Sequence, residues 1–192
     1  MTSTPAIPNF DDIGDAGFPH HHREERAVIM VDTVARDPAQ FVTIGIDREI
    51  FAVPVENVRE ILDMQPIARL PHAPPFLAGM IDVRGLSVPT IDLRIKLGLP
   101  AAIQTDNTRI VVLDVVVDNH PRVLGIIADR VIEVTALADQ FLEAPPEIGV
   151  RWRSEYIRAI GRTNGTFVIV FNLSHLFSTS EIALLEPSCE TP

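Results

Sequence analysis

A strand–turn–strand–cap–helix pattern is written twice into this chain, and that repeat constrains the fold more than any other feature. In the first copy, Gly79 to Leu97, Ile81 and Val83 alternate with Asp82 and Arg84 as in a half-buried strand. Arg84-Gly85 then supplies a tight turn, where glycine takes positive φ at little cost. Leu86, Val88 and Thr90 line one side of a returning strand, with Ser87, Pro89 and Ile91 on the other. Pro89 cannot donate to a ladder, so the strand is an edge or carries a bulge there. Asp92 is placed to cap a short helix, Leu93 to Leu97, that stops at Gly98. Setting Gly85 against Gly165, an offset of 80, aligns Val88 with Val168, Ile91 with Phe171, Asp92 with Asn172, Leu93 with Leu173 and Leu97 with Phe177. Upstream the offset is 73, matching Phe51-Ala52-Val53 to Leu124-Gly125-Ile126, Val58 to Val131, Glu60 to Glu133 and Ile61 to Val134. Copies of this length, with several short strands each, predict an all-β fold of two small barrels side by side; a solenoid would have a shorter period.

A chain of 192 residues, 46% hydrophobic, can bury one or two modest cores. Met1 to Pro38 stands apart: it holds seven acidic residues against three basic ones, several Pro and Gly, and three adjacent histidines. This composition predicts a disordered acidic tail, with the apolar run Ala27 to Val31 as its one segment able to dock. The folded domain is expected over 39–187, followed by a short C-terminal tail, 188–192. A net charge of −10 and a single lysine, Lys96, argue against nucleic acid or an anionic membrane as ligand, because phosphate binding needs clustered Lys and Arg. No apolar run reaches the ~18 residues a span requires, and no charged-then-apolar leader opens the chain, so a cytoplasmic protein is expected. The one cysteine, Cys189, fits a reducing compartment.

Along the chain, strands are expected at Gln40 to Ile46 and Ile50 to Val53, then a short helical or bent segment from Pro54 to about Leu62. Leu70 to Phe76 reads as a proline-rich loop and Ala101 to Asn107 as the linker between copies. Arg109 to Val117 and Arg122 to Ala128 are strands around the Asp118–Pro121 turn. Ala136 to Pro146 is an inserted loop region, and Tyr156 to Gly161 with Thr166 to Phe171 forms the second hairpin. Ser178 to Glu181 is a capping box opening a last short helix that ends near Leu185.

Chemistry-bearing motifs are scarce. There is no Gly-x-Gly, and Gly161 to Gly165 is explained by the repeat as a turn, so no phosphate loop is expected. His20-His21-His22 point apart on any regular element, whereas a metal centre needs converging ligands; no metal and no cofactor are expected. His72, His120 and His175 lie in a loop, a turn and a helix, away from any nucleophile context. Asp82 and Asp92 invite a paired-carboxylate idea, but Asp92 is a cap and its counterpart, Asn172, cannot act as a base. No catalytic residue is expected. Glu60 and Arg84 are different: both copies carry the glutamate, but only the first has the arginine, which predicts a carboxylate-oriented guanidinium at the rim of an apolar groove.

The segment VRGLSVPTIDLRIKLG, together with FAVPVENVREIL, DNTRIVVLDV and STSEIALLE in that order, resembles the CheW-like domain family, the coupling proteins of bacterial chemotaxis, over about Gln40 to Leu185. The resemblance implies two five-stranded SH3-like β-barrel subdomains, intertwined, and a non-catalytic adaptor. Its partners would be the cytoplasmic tips of methyl-accepting chemoreceptors and the histidine kinase CheA, in arrays beneath the membrane without insertion into it. Carried over residue by residue, it puts receptor contact on Val58, Glu60, Ile81, Arg84 and Ile110, and kinase contact on Val123, Leu124 and Gly125. Asp82 stands where the motif has asparagine, and Arg109 where it is usually apolar, which is consistent with a specialised paralogue. The alternative from another class is a small β-barrel that binds or hydrolyses a ligand in an enclosed polar pocket.

Overall fold

The computed structural model describes residues 38–145, 154–163, 165–177 and Glu181. The acidic tail, the histidine triplet and the last helix expected after Ser178 lie outside these residues, apart from Glu181. Ten strands and two short helices follow in order: β1 (Ala39–Ile46), β2 (Glu49–Pro54), β3 (Val58–Asp63), β4 (Leu77–Val83), β5 (Leu86–Asp92), α1 (Leu93–Lys96), β6 (Arg109–Val117), β7 (His120–Ala128), β8 (Arg130–Leu137), β9 (Ile157–Thr163), β10 (Thr166–Phe171) and α2 (Leu173–Leu176). They make two five-stranded sheets curled like half-barrels, β8-β1-β2-β10-β9 and β3-β6-β7-β5-β4. The fold class expected from the repeat and the resemblance is therefore observed.

The two sheet orders coincide position by position once β1–β5 are matched to β6–β10. The parallel registers agree with both offsets: β5 meets β7 through Thr90 to Gly125 and Ile91 to Ile126, while β10 meets β2 through Val170 to Ala52 and Ile169 to Phe51. Each copy is nevertheless divided between the sheets. The chain leaves the first sheet after β2, through a 3-10 turn at Val55–Asn57, and returns to it after β7, so β3 pairs with β6 and β8 with β1.

Two of the expected elements differ. Val58 to Asp63 is a strand, not the end of a helical segment; only Val55–Asn57 coils after Pro54, and the alternation of VREILD is that of a half-buried edge. Strand β8 extends to Leu137, into the region expected to be an inserted loop, because pairing with β1 continues to Ala39. Both hairpin edges are blunted in the same way, by single bridges from preceding loops: Ala68 pairs with Met80, and Glu143 with Ile160.

Burial on both faces explains the continuous apolar runs. In β6, Val111, Leu113, Val115 and Val117 enter the core shared by the two sheets, with Phe51 stacked on Phe171 at 4.6 Å, while Ile110 and Val112 turn into the interior of the second sheet. A third cluster, including Phe41, Ala52 and Val168, fills the first sheet's interior. Pro89 falls where β5 is paired only with β4, since the ladder to β7 begins at Thr90, and so its missing N–H costs nothing.

Candidate interaction surface

The β4–β5 turn is the most constrained surface feature. Arg84 and Gly85 both have positive φ, 54° and 85°, the two-residue type I′ geometry that follows the twist of the strands. Glycine adopts it freely; an arginine there costs roughly 1 kcal/mol. The turn is held by Asp82, whose Oδ1 accepts the Gly85 N–H at 2.8 Å. The aspartate that replaces the motif's asparagine is thus engaged with the backbone.

From this turn the Arg84 Nη2 reaches Glu60 Oε2 on β3 at 3.1 Å, with the arginine side chain 83% exposed and the glutamate 18%. A pair so exposed contributes ~0–1 kcal/mol at most and screens with salt, so stability gives little reason to hold an arginine in the left-handed region. Val58, two residues before Glu60, is half-buried against the inter-sheet core. On the other face of β3, Arg59 forks onto both oxygens of Asp114 and Asp63 meets Arg109, with Ile61 exposed between these pairs. Arg109 also donates to the carbonyls of Asp106 and Thr108, which ties it to its own loop.

The remaining expected contact residues lie deeper. Ile81 and Ile110 are buried together in the second sheet's interior, with Val123 packed against the same cluster from β7. Leu124 is buried on the opposite face, in the inter-sheet core. Gly125 is buried as well, and a Cβ there would stand 2.8 Å from Thr90 Oγ1 and 3.3 Å from an Ile110 methyl. Of the eight residues, then, Glu60 and Arg84 meet at the surface, Val58 and Val123 reach it in part, and Ile81, Ile110, Leu124 and Gly125 have their side-chain positions inside. Alternation places Ile81 inside with Val83, but it could not have done so for Ile110 and Leu124, whose strands β6 and β7 are apolar on both faces there.

Sequence reasoning missed the ionic joint between the sheets. Arg94, on α1 and 13% exposed, pairs with Asp47 in the β1–β2 turn at 3.3 Å and Asp129 at the β7–β8 junction at 2.5 Å, while its Nε donates to the Pro100 carbonyl. Asp129 also accepts the Asp47 N–H. The signal was available in the repeat, where Ser174 stands 80 residues after Arg94 and breaks the correspondence.

Comparison with known proteins places this architecture. The profile of the CheW-like domain matches residues 40–181. The chain is 29% identical to the chemotaxis protein CheW of Klebsiella aerogenes over 147 residues, 77% of this chain and 86% of that one. It is 27% identical to the chemotaxis protein CheW of Treponema pallidum over 166 residues, 86% and 94% of the two chains. Its fold is like that of the crystal structure of the scaffolding protein TtCheW from Thermoanaerobacter tengcongensis, with a TM-score of 0.68 at 23% identity, covering 86% of this chain and 96% of the other. With two matched half-barrel sheets, an arginine-bearing turn and a family match over most of its length, the chain belongs to the CheW-like domain family.

Proposed function

We propose that this protein is a non-catalytic chemotaxis adaptor in the cytoplasm, joining the tips of methyl-accepting chemoreceptors to the histidine kinase CheA in membrane-associated arrays. The observation that carries the receptor side is the Glu60–Arg84 pair: an exposed guanidinium held in an unfavourable backbone conformation, oriented by a half-buried carboxylate, beside the partly exposed Val58. A site with those properties contributes little to folding and much to recognition.

The kinase side is supported by the outer half of β7. The β5 ladder covers β7 only from Gly125 to Ile127, so the strand before it, including the half-buried Val123, presents a backbone edge to a matching barrel. Leu124 and Gly125 would act there through the shape of the strand. Ile81 and Ile110 lie beneath the receptor rim and touch the same cluster as Val123. One packed interior therefore lies beneath both surfaces and offers a physical route for coupling them.

Arg84→Ala is the test. It should leave the thermal midpoint nearly unchanged and weaken association with a receptor-tip fragment by ~1–3 kcal/mol in titration calorimetry, while binding of the kinase's barrel domain is retained. Undiminished receptor binding would remove Arg84 from the interface.

A further inference from the structure

The two junctions between the sheets are equivalent by the repeat but are finished differently. At one, Arg94 fills the space between α1 and the β1–β2 turn and neutralises Asp47 and Asp129. At the other, Ser174 occupies the corresponding position on α2, and an open cleft of about 210 Å³ remains, lined by the exposed Val116 with the buried Phe171 and Leu173 beneath it. Of its polar lining, the Asn57 amide is committed to the Asp114 carbonyl at 2.9 Å, which leaves Arg158, Asn172 and Ser174 on the rim. Arg158 is exposed and has no ion pair among the described residues. Asn172 stands where Asp92 caps α1 with its carboxylate, yet the Asn172 side chain makes no capping bond. The Ser174 hydroxyl completes a set of one cation and two neutral donors around an apolar floor.

From this asymmetry we infer that the cleft receives a carboxylate-bearing side chain from the chemoreceptor tip, with an apolar neighbour seated on the exposed Val116. The charge pattern selects that occupant. The closed junction is a cation of this chain set between two carboxylates; the open one supplies the cation and amide donors, so the group that completes it is an anion with aliphatic flanks. A guanidinium takes a carboxylate in forked geometry, and the neutral donors satisfy its remaining lone pairs. The cleft also includes Pro54 and Asn57, directly before Val58, which makes it continuous with the surface assigned to the receptor. The inference rests on the adaptor reading and adds to it the chemistry of the contact.

The experiment titrates the intact chain with a chemoreceptor signalling-tip fragment. Arg158→Glu should bind roughly tenfold more weakly or worse, with an unchanged melting curve, because the residue is exposed. Ser174→Arg, which fills the cleft as Arg94 fills its counterpart, should weaken binding similarly, while neither variant affects binding of the kinase's barrel domain. Reversal of the fragment's carboxylates to lysine, one at a time, should identify one that restores binding to the Arg158→Glu chain. Wild-type binding by both variants, or failure of every reversal to restore it, overturns the inference and leaves the adaptor reading standing. Failure of the unaltered chain to bind any tip fragment rejects both.

Discussion

Gly125 shows how a residue expected at a contact can be dictated by the core as well. Its counterpart in the other sheet is Ala52, opposite Val170; here the opposing residue is Thr90, whose Oγ1 turns back to the Val88 carbonyl at 3.3 Å and occupies the space a methyl would need. Gly125→Ala should therefore destabilise the fold by ~1–3 kcal/mol, the cost of overpacking, and Thr90→Ala in the same chain should recover much of it. Thermal and urea unfolding of the two single variants and the double variant measure that coupling; strictly additive losses would show that the two side chains do not share the space. At this scale the sequence was legible where backbone chemistry dictates the residue. The turn at Arg84-Gly85 and the cap at Asp92, which accepts the Arg94 and Ile95 amides, follow from local geometry. Asn172 was not legible as a non-capping residue, because an asparagine at that position satisfies every local rule. Inside and outside were obscure for Ile110 and Leu124, since strand segments buried on both faces carry no alternation to read, whereas Ile81 follows the alternation of its half-buried strand.

Among the elements, α1 carries more of the molecule than its four residues suggest. Lys96, the only lysine in the chain, is 4% exposed in its side chain. Its ammonium pairs with Glu181 and lies over the rings of Phe76, at 4.7 Å, and Tyr156, at 5.4 Å. Those two aromatics occupy equivalent places in the repeat, and their carbonyls accept equivalent amides, from Asp92 and Asn172. One buried cation thus fastens the entries to both hairpins and a residue beyond α2. Lys96→Met keeps the apolar stem and removes the charge, leaving Glu181 without this partner at 23% exposure. It should cost ~1–3 kcal/mol in chemical denaturation, and in the unaltered protein Lys96 should react with amine-acylating reagents far more slowly than the unfolded chain does. Rapid labelling under native conditions would show that the side chain is not enclosed. The strands themselves were largely legible. The exceptions were β3, where Pro54 suggested a helix start that lasts only one 3-10 turn, and the end of β8, whose length is set by its partner β1 and not by its own residues.

For the whole molecule, the offsets of 80 and 73 announced two like halves but could not say how they combine, because a repeat identifies which pieces are alike and not which pieces pair. The structure answers with an exchange: each sheet takes two strands from one copy and three from the other. Neither copy contains all the neighbours that its own strands pair with, since β3 and β5 require β6 and β7, and β8 and β10 require β1 and β2. Unpaired strands of this kind expose ladder groups and half a core, which makes them unstable as monomers and prone to association. Residues 39–100 and 101–187 produced as separate polypeptides should therefore each be unfolded, or self-associated through the same exchange between identical copies, and should recover the β-sheet circular dichroism signal and a one-to-one complex when mixed. Light scattering coupled to size exclusion distinguishes these states. A folded monomer from either half alone would mean that the exchange of strands is a matter of connection and not of stability.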